Sequence, residues 1–167
     1  MPHRPIVLLG DPLLRELSRP VSSAAEAEPV FTDLRDTLHE FRRGHGFGRG
    51  ISAVQIAVPV RLIYIEFEGR AYKLRNPVYE YLSGDTFELW DDCFSFPGLL
   101  VRVRRSVQVR VRYEGDDGEV LTLEADGALS ELLQHEMDHL DGILAVDRAL
   151  SRDAFCVRGE WERRYRL

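Results

Sequence analysis

The sequence of 167 residues has only two cysteines, Cys93 and Cys156, and it has no long apolar segment. Two cysteines are too few for a disulfide framework, which favours a reducing compartment. No apolar run approaches the ~18 residues that a membrane-spanning helix needs, and residues 2–4 lead into only a short apolar run. We therefore expect a cytoplasmic protein with no signal peptide and no membrane contact.

An excess of basic residues is also absent, because the net charge is -6, with 28 acidic and 22 basic residues. This balance argues against general nucleic-acid binding, which relies on basic surfaces. The hydrophobic fraction of 44% and the charged fraction of 30% are typical of a soluble globular protein. We expect residues 1–167 to form a single domain, with residues 151–167 as a short C-terminal segment.

Histidine is scarce, yet two of the five histidines bracket a glutamate in the run Gln-His-Glu-Met-Asp-His at residues 134–139. Residues 128–141 lack Pro and Gly and carry apolar residues at helical spacing, which predicts a helix. His135 and His139 then lie one turn apart on the same face. Two such imidazoles can bind one divalent metal ion, and Glu136 beside them can take a proton from the water that the metal activates.

The same helix has a simpler explanation. Leu129, Leu133, Met137 and Leu140 form an apolar stripe that can anchor it in a core, and two histidines four apart also arise by chance. The scarcity of histidine favours a metal site, and hence a hydrolase, without naming the substrate.

A catalytic metal site needs a third protein ligand and an open position. The extended pattern H-E-x-x-H-x-x-G-x-x-H fits through Gly142, but Ala145 stands where the third histidine is required. Glu160 and Cys93 remain, and we favour Cys93, which lies in a turn-rich segment before an arginine-rich strand. The alternative for a lone cysteine is a buried small hydrophobe.

A glycine-rich loop is the second unusual stretch, with four glycines within residues 44–50. Such a loop allows close approach of another chain, although a flexible connector has the same composition. The apolar run that follows, residues 51–58, contains Gln55, an amide that needs a partner if it is buried.

The middle of the chain predicts strands. Residues 61–67 and 70–74 read as a hairpin, residues 87–90 as a strand, and residues 101–113, where valines largely alternate with arginines, as one half-buried strand with a basic outer face. We expect this face to be solvated, because the aromatic residues of a nucleic-acid surface are absent from it.

Two elements are predicted near the N-terminus. Residues 6–9 read as a strand, and a helix is expected to begin at Thr32 or Asp33 after a loop at residues 22–29.

Three segments together resemble the motifs of the peptide deformylase family. Residues 48–55 resemble G-Φ-G-Φ-A-A-x-Q, residues 91–95 resemble E-G-C-Φ-S, and residues 134–139 match Q-H-E-x-D-H throughout. The three occur in the order of the family. Residues 11–15 and 124–127 also resemble its opening turn and the lead into its metal helix, so the likeness extends to about residue 150.

The resemblance implies an α+β fold in which antiparallel strands pack around a central metal-binding helix. It implies an enzyme that removes the N-formyl group from the N-terminal methionine of nascent polypeptides. One divalent ion would be held by Cys93, His135 and His139, with Fe(II) favoured and Zn(II), Ni(II) or Co(II) as alternatives.

The resemblance also assigns roles to five other residues. Glu136 would be the general base and acid, and Gln55 with the backbone N–H of Phe94 would form the oxyanion site. The backbones of Arg49 and Gly50 would pair with the extended substrate. The expected partners are formyl-methionyl N-termini and a transient ribosome contact, without specific nucleic-acid binding.

The chain departs from the family's motifs at several positions. Arg49 replaces a hydrophobic residue, Ser52 replaces an alanine, and Asp91 and Asp92 replace glutamate and glycine. The family's arginine shortly after the second motif has no clear match, since Leu100 occupies its place. These changes leave two other hypotheses open: a metal-dependent amidase or peptidase with a different N-acyl substrate, and a non-catalytic binding protein that keeps the fold.

Two further sites have open interpretations. Ala128 and Leu132 either line an apolar pocket for a methionine side chain or belong to the core. Asp138 either orients a metal ligand or belongs to the polar stripe of the helix.

Overall fold

Two antiparallel sheets and two helices form the body of the protein in a computed structural model, which describes residues 3–165. The first sheet has the order β1-β2-β3-β6-β7 and the second has the order β4-β5-β8. The longer elements are α1 (Ala24–His45), β1 (Gly50–Ser52), β2 (Leu62–Phe67), β3 (Arg70–Leu82), β4 (Thr86–Asp92), β5 (Leu99–Ser106), β6 (Gln108–Glu114), β7 (Val120–Asp126), α2 (Gly127–Leu140), β8 (Phe155–Val157) and α3 (Arg158–Arg164).

Helix α2 is the element on which both sheets are assembled. Its residues 130–140 are all buried. Leu133, Met137 and Leu140 pack with apolar residues of β2, β3 and β6. The apolar stripe predicted from the sequence therefore does anchor the helix, and the α+β fold with antiparallel strands around this helix is confirmed. Within residues 3–165, no helix combines the length and apolar character needed to span a bilayer.

Helix α1 begins earlier than predicted. The sequence placed its start at Thr32 or Asp33, but the helix begins at Ala24, where the Ser23 hydroxyl accepts the Glu26 N–H. An N-cap serine followed by good helix formers accounts for this start, and Pro29 is accommodated within the helix.

The predicted arginine-valine strand over residues 101–113 is two strands. β5 and β6 meet at Val107, and β6 pairs with β3 and β7 whereas β5 pairs with β4 and β8. Arg102 and Arg104 lie on the exposed side of β5 and contact Glu88. Arg105 is on the opposite, buried side, in phase with the valines.

The predicted N-terminal strand at residues 6–9 is not formed, since residues 6–8 belong to neither sheet and Leu9 lies in a turn. Its backbone instead donates single hydrogen bonds from Val7 to the Gln55 carbonyl and from Leu9 to the Ser95 carbonyl, at 2.8 and 2.9 Å. This segment thus ties together two of the three motif segments.

Shortening a core side chain of α2 should destabilise the fold. Leu133 is fully buried, so Leu133→Ala leaves a cavity, and we expect a loss of about 2–5 kcal/mol in the free energy of unfolding, measured by denaturant titration. The matched control is Leu17→Ala, because Leu17 is 74% exposed and should change stability by less than about 0.5 kcal/mol. Equal effects of the two substitutions would contradict the central position of α2.

Candidate metal centre and substrate cleft

The structure brings the three expected metal ligands together. One potential ligand atom from each of Cys93, His135 and His139 lies within 4.8 Å of the other two, and all three residues are buried. Cys93 Sγ is 3.3 Å from His139 Nε2. Cys93 follows the end of β4, and the histidines lie on α2, so the cluster joins the second sheet to the central helix. Glu160, the other candidate third ligand, instead pairs with arginines of its own helix at the surface.

This cluster fits a divalent metal ion. Tetrahedral bonds of ~2.3 Å to sulfur and ~2.0 Å to nitrogen would place those two atoms about 3.5 Å apart, close to the observed separation. Two N–H donors, Gln55 Nε2 at 3.6 Å and the backbone of Ser95 at 3.4 Å, face the sulfur of Cys93, as suits a thiolate. The set of one sulfur and two nitrogens would hold a single borderline ion.

His135 is oriented by a carboxylate. Its Nδ1 lies 2.9 Å from Asp91 Oδ1, which leaves Nε2 as the atom for a metal. The other Asp91 oxygen accepts a 3.0 Å hydrogen bond from Arg105, and Arg105 also donates to Asp138 at 2.5 Å. Asp138 is bound again by Arg148 at 2.8 Å. Asp138 is therefore connected to His135 by a chain of contacts, in which Asp138 holds Arg105, Arg105 holds Asp91, and Asp91 faces the His135 ring.

Arg105 is the site residue that the sequence interpretation missed. It lies in the stretch predicted to have a basic outer face, yet its side chain is only 3% exposed and bridges two carboxylates. The sequence does contain a signal for this burial. Arg104 and Arg105 are adjacent and so break the alternation of valine and arginine. Because side chains of a strand alternate between its two faces, Arg105 lies on the same face as Val101 and Val103.

Glu136 lies beside the metal cluster and is 2% exposed. Burial raises its pKa to about 6. The hydroxyl of Ser52, which replaces the family's alanine, donates a 2.6 Å hydrogen bond to Glu136 Oε2 and so fixes the carboxylate. Gly50 packs against the same side chain, since a Cβ at that position would lie 2.9 Å from Glu136 Oε1.

Gln55 has the partners that a buried amide requires. Its Oε1 accepts the Ser52 N–H at 3.0 Å, and its NH₂ group faces Ser95 Oγ at 3.3 Å and the Cys93 sulfur. One donor of this amide is therefore held next to the metal cluster. Phe94 follows Cys93 in the chain, so its backbone N–H is in the same turn.

The glycine-rich loop forms a wall of the cleft in which these groups lie. Gly48 has a φ of 129°, and a Cβ there would meet the Phe94 ring at 2.5 Å. Arg42 Nε donates to the Gly48 carbonyl at 3.1 Å. The Arg49 carbonyl accepts the Glu66 N–H of β2 at 2.7 Å. Successive residues of an antiparallel strand point their backbone N–H and C=O groups alternately towards and away from the neighbouring strand. The N–H and C=O of Gly50, the next residue, therefore point away from β2.

Arg49 and Asp92, which depart from the family's motifs, each have a charged partner. Arg49 pairs with Glu131, whose side chain is buried at the cleft. Asp92 accepts a 2.9 Å hydrogen bond from Arg158. The cleft therefore has polar as well as apolar walls.

The cleft has a volume of about 490 Å³ and runs between the glycine-rich loop and the end of β4. Leu132 and Leu100 line it, and Leu132 also belongs to the buried apolar cluster around α2, so both interpretations of Leu132 remain compatible with its position. Ala128 instead borders a larger surface depression of about 670 Å³ that contains none of the metal ligands. The larger depression therefore lacks the groups for this chemistry.

A buried Cys-His-His cluster with an adjacent glutamate, opening on a cleft, defines a metal-dependent hydrolase. Residues 3–154 match the family model of polypeptide deformylase. The chain is 36% identical over 155 residues to a peptide deformylase of Bartonella tribocorum, covering 88% of the chain and 84% of that protein. It is 34% identical over 161 residues to one of Agrobacterium fabrum, covering 92% of each.

Solved structures agree. A peptide deformylase from Thermotoga maritima superposes with a TM-score of 0.83 at 27% identity, covering 90% of this chain and all 100% of that one. A complex with actinonin from Synechococcus elongatus gives 0.84 at 34% identity, covering 91% and 81%. The chain belongs to the polypeptide deformylase family and is an enzyme.

Removing the thiolate should empty the metal centre. We expect the purified protein to carry about one divalent ion per chain, and Cys93→Ser to retain well under half of that after dialysis, measured by elemental analysis. The control is Cys156→Ser, since Cys156 lies on β8 outside the cluster and should leave the metal content unchanged. Full metal retention by Cys93→Ser would remove Cys93 from the ligand set.

Proposed function

We propose that this enzyme hydrolyses the N-formyl group from the N-terminal methionine of peptides, using the centre formed by Cys93, His135 and His139. The observation that carries the proposal is the fixed position of Glu136 beside that centre. Its carboxylate is buried and held by Ser52 against Gly50, so it faces the cleft in one orientation.

The ion is proposed to be Fe(II), with Zn(II), Ni(II) or Co(II) as alternatives for the same ligands. When bound, such an ion supplies an acidified water, with a pKa lowered from about 15.7 towards ~7, and polarises the carbonyl to be attacked. Elemental analysis of protein prepared without oxygen tests the assignment, and a dominant ion other than iron would contradict it.

The protein groups then handle the proton and the charge. Glu136 takes the proton of the attacking water and passes it to the leaving amine, which releases formate and a free N-terminus. The NH₂ group of Gln55 and the backbone N–H of Phe94 donate to the oxygen that gains negative charge.

The peptide is proposed to lie along β1, an edge strand of its sheet. Gly50 presents its backbone N–H and C=O on the side that β2 does not use, and an extended chain can add there as a further strand. Arg49 is proposed to contribute through its backbone beside Gly50. Because such substrates are nascent chains, we propose the cytoplasm as the location and a transient ribosome contact.

A formate-release assay tests the reaction. We expect the iron-loaded enzyme to release formate from formyl-Met-Ala-Ser and not to release acetate from acetyl-Met-Ala-Ser. Glu136→Gln keeps the shape of the side chain but not the base, so the rate should fall by about 10²–10⁴ with the metal content unchanged.

The other outcomes separate the alternatives. Comparable release of acetate would favour a broader amidase. Metal-loaded protein that releases neither acid, with Glu136→Gln behaving like the parent protein, would favour a binding protein.

Loss of the Gln55 amide should affect turnover more than binding. Gln55→Leu removes a donor to the developing oxyanion, and we expect kcat to fall by about 10²–10³ while KM changes little. Because Gln55 also contacts the sulfur of Cys93, the metal content is measured on the same samples. A wild-type kcat in a fully loaded variant would rule out the oxyanion role.

A further inference from the structure

The segment after residue 154 lies outside the match to the family, yet it borders the cleft. This C-terminal segment, residues 155–165, consists of β8 and α3. β8 pairs antiparallel with β5, with Cys156 opposite Leu100, a residue that lines the cleft. The segment is therefore fixed to the wall of the cleft by backbone hydrogen bonds.

Arg158 links the two sides of the cleft. Its guanidinium carbon lies 3.8 Å from the ring centroid of Phe47 in the glycine-rich loop, and its Nη2 donates to Asp92 at 2.9 Å in the second motif. Its Nε also donates to the Pro97 carbonyl at 2.7 Å. A stacked cation that also bonds a carboxylate holds both partners in place. Asp92, which replaces the family's glycine, thus has its partner in the C-terminal segment.

Trp161 follows one turn later on α3 and lines the cleft together with Trp90 and Leu100. Its indole N–H is buried and has no acceptor among residues 3–165. The ring of Trp90 packs against Tyr165 of the same segment, with centroids 5.3 Å apart. Both tryptophans of the chain therefore border the cleft.

We propose that the C-terminal segment is part of the substrate-binding cleft, with Trp161 as a specificity-determining residue and Arg158 as the positioning residue that joins the cleft walls. This inference rests on the proposed function. Because Trp161 lines the cleft, its indole ring offers an apolar face to a side chain of the peptide portion of a formyl peptide.

Kinetics of Trp161→Ala test the role of the indole. A contact made equally in the bound substrate and in the transition state raises KM and leaves kcat unchanged when it is removed. We expect KM for formyl-Met-Ala-Ser to rise about tenfold or more, as for a buried aromatic contact, with kcat within about twofold. Trp161→Phe keeps the apolar face and should recover part of the loss.

The control is Arg163→Ala on the same helix, because Arg163 is exposed and its ion-pair partner is Glu160 of the same helix. It should keep the parent KM, Tm and metal content. A parent KM in Trp161→Ala would overturn the inference. A Trp161→Ala variant with a lower kcat and also a lower Tm or metal content would overturn it as well, because that pattern indicates a structural role for Trp161.

A binding measurement without turnover provides the second readout. In Trp90→Phe, Trp161 is the only tryptophan, and its emission should change saturably when the product peptide Met-Ala-Ser is added. An unchanged emission over the same concentrations would overturn the contact. If the loaded enzyme releases no formate but this titration saturates, the proposed function fails and the cleft assignment stands. If the enzyme releases formate, but KM is unchanged in Trp161→Ala and the emission of Trp90→Phe is unchanged by the peptide, the inference about Trp161 is wrong and the proposed function stands.

Discussion

The approach of the Cys93 sulfur to two imidazoles of α2 is the constraint on which the rest of the structure depends. It joins a residue at the end of β4 to a helix some forty positions further along the chain, and all three side chains are buried. A thiolate and ionised side chains are costly to bury unless each is paired, so the surroundings must supply charge and donors. The chain of contacts from His135 through Asp91 and Arg105 to Asp138 meets that requirement.

The same need for partners accounts for the polar residues that depart from the family's motifs. Arg49 would leave a cation at the edge of the cleft, and Glu131 neutralises it. Ser52 adds a hydroxyl where the family has a methyl group, and that hydroxyl holds Glu136. Asp92 meets Arg158 from beyond the matched region. Each unusual polar group therefore has a partner on another element, which fits a working site with altered walls better than a decayed one.

The cleft is shared among elements of different sequence character. The proposed catalytic groups lie in the three motif segments, whereas one wall of the cleft comes from the C-terminal segment, where no motif is present. Enzymes of one family keep the reacting groups and vary the surrounding walls, since chemistry tolerates little change and side-chain recognition tolerates more. Differences in substrate preference between this enzyme and its relatives are therefore expected from the walls.

The sequence by itself determined the ligand types, the one-turn spacing of His135 and His139 and the apolar stripe of α2, because these depend on the short-range periodicity of a helix. It also indicated Cys93 and Gln55. Cys93 lies in a turn-rich segment that resembles a family motif, and Gln55 is an amide within an apolar run, where a buried amide needs a partner. The start of α1 and the division of the arginine-valine stretch into two strands were predicted wrongly, because capping and strand pairing override local pattern.

Only the tertiary structure decided which side chains are hydrogen-bond partners of each other. Arg105 meets Asp138 across 33 positions, Ser52 meets Glu136 across 84, and Arg158 meets Asp92 across 66. Sequence periodicity reports which face of an element is buried but not which residue of a distant element lies opposite. That choice is made by close packing of the whole chain, where most buried charges and hydroxyls lie at positions that give them a partner.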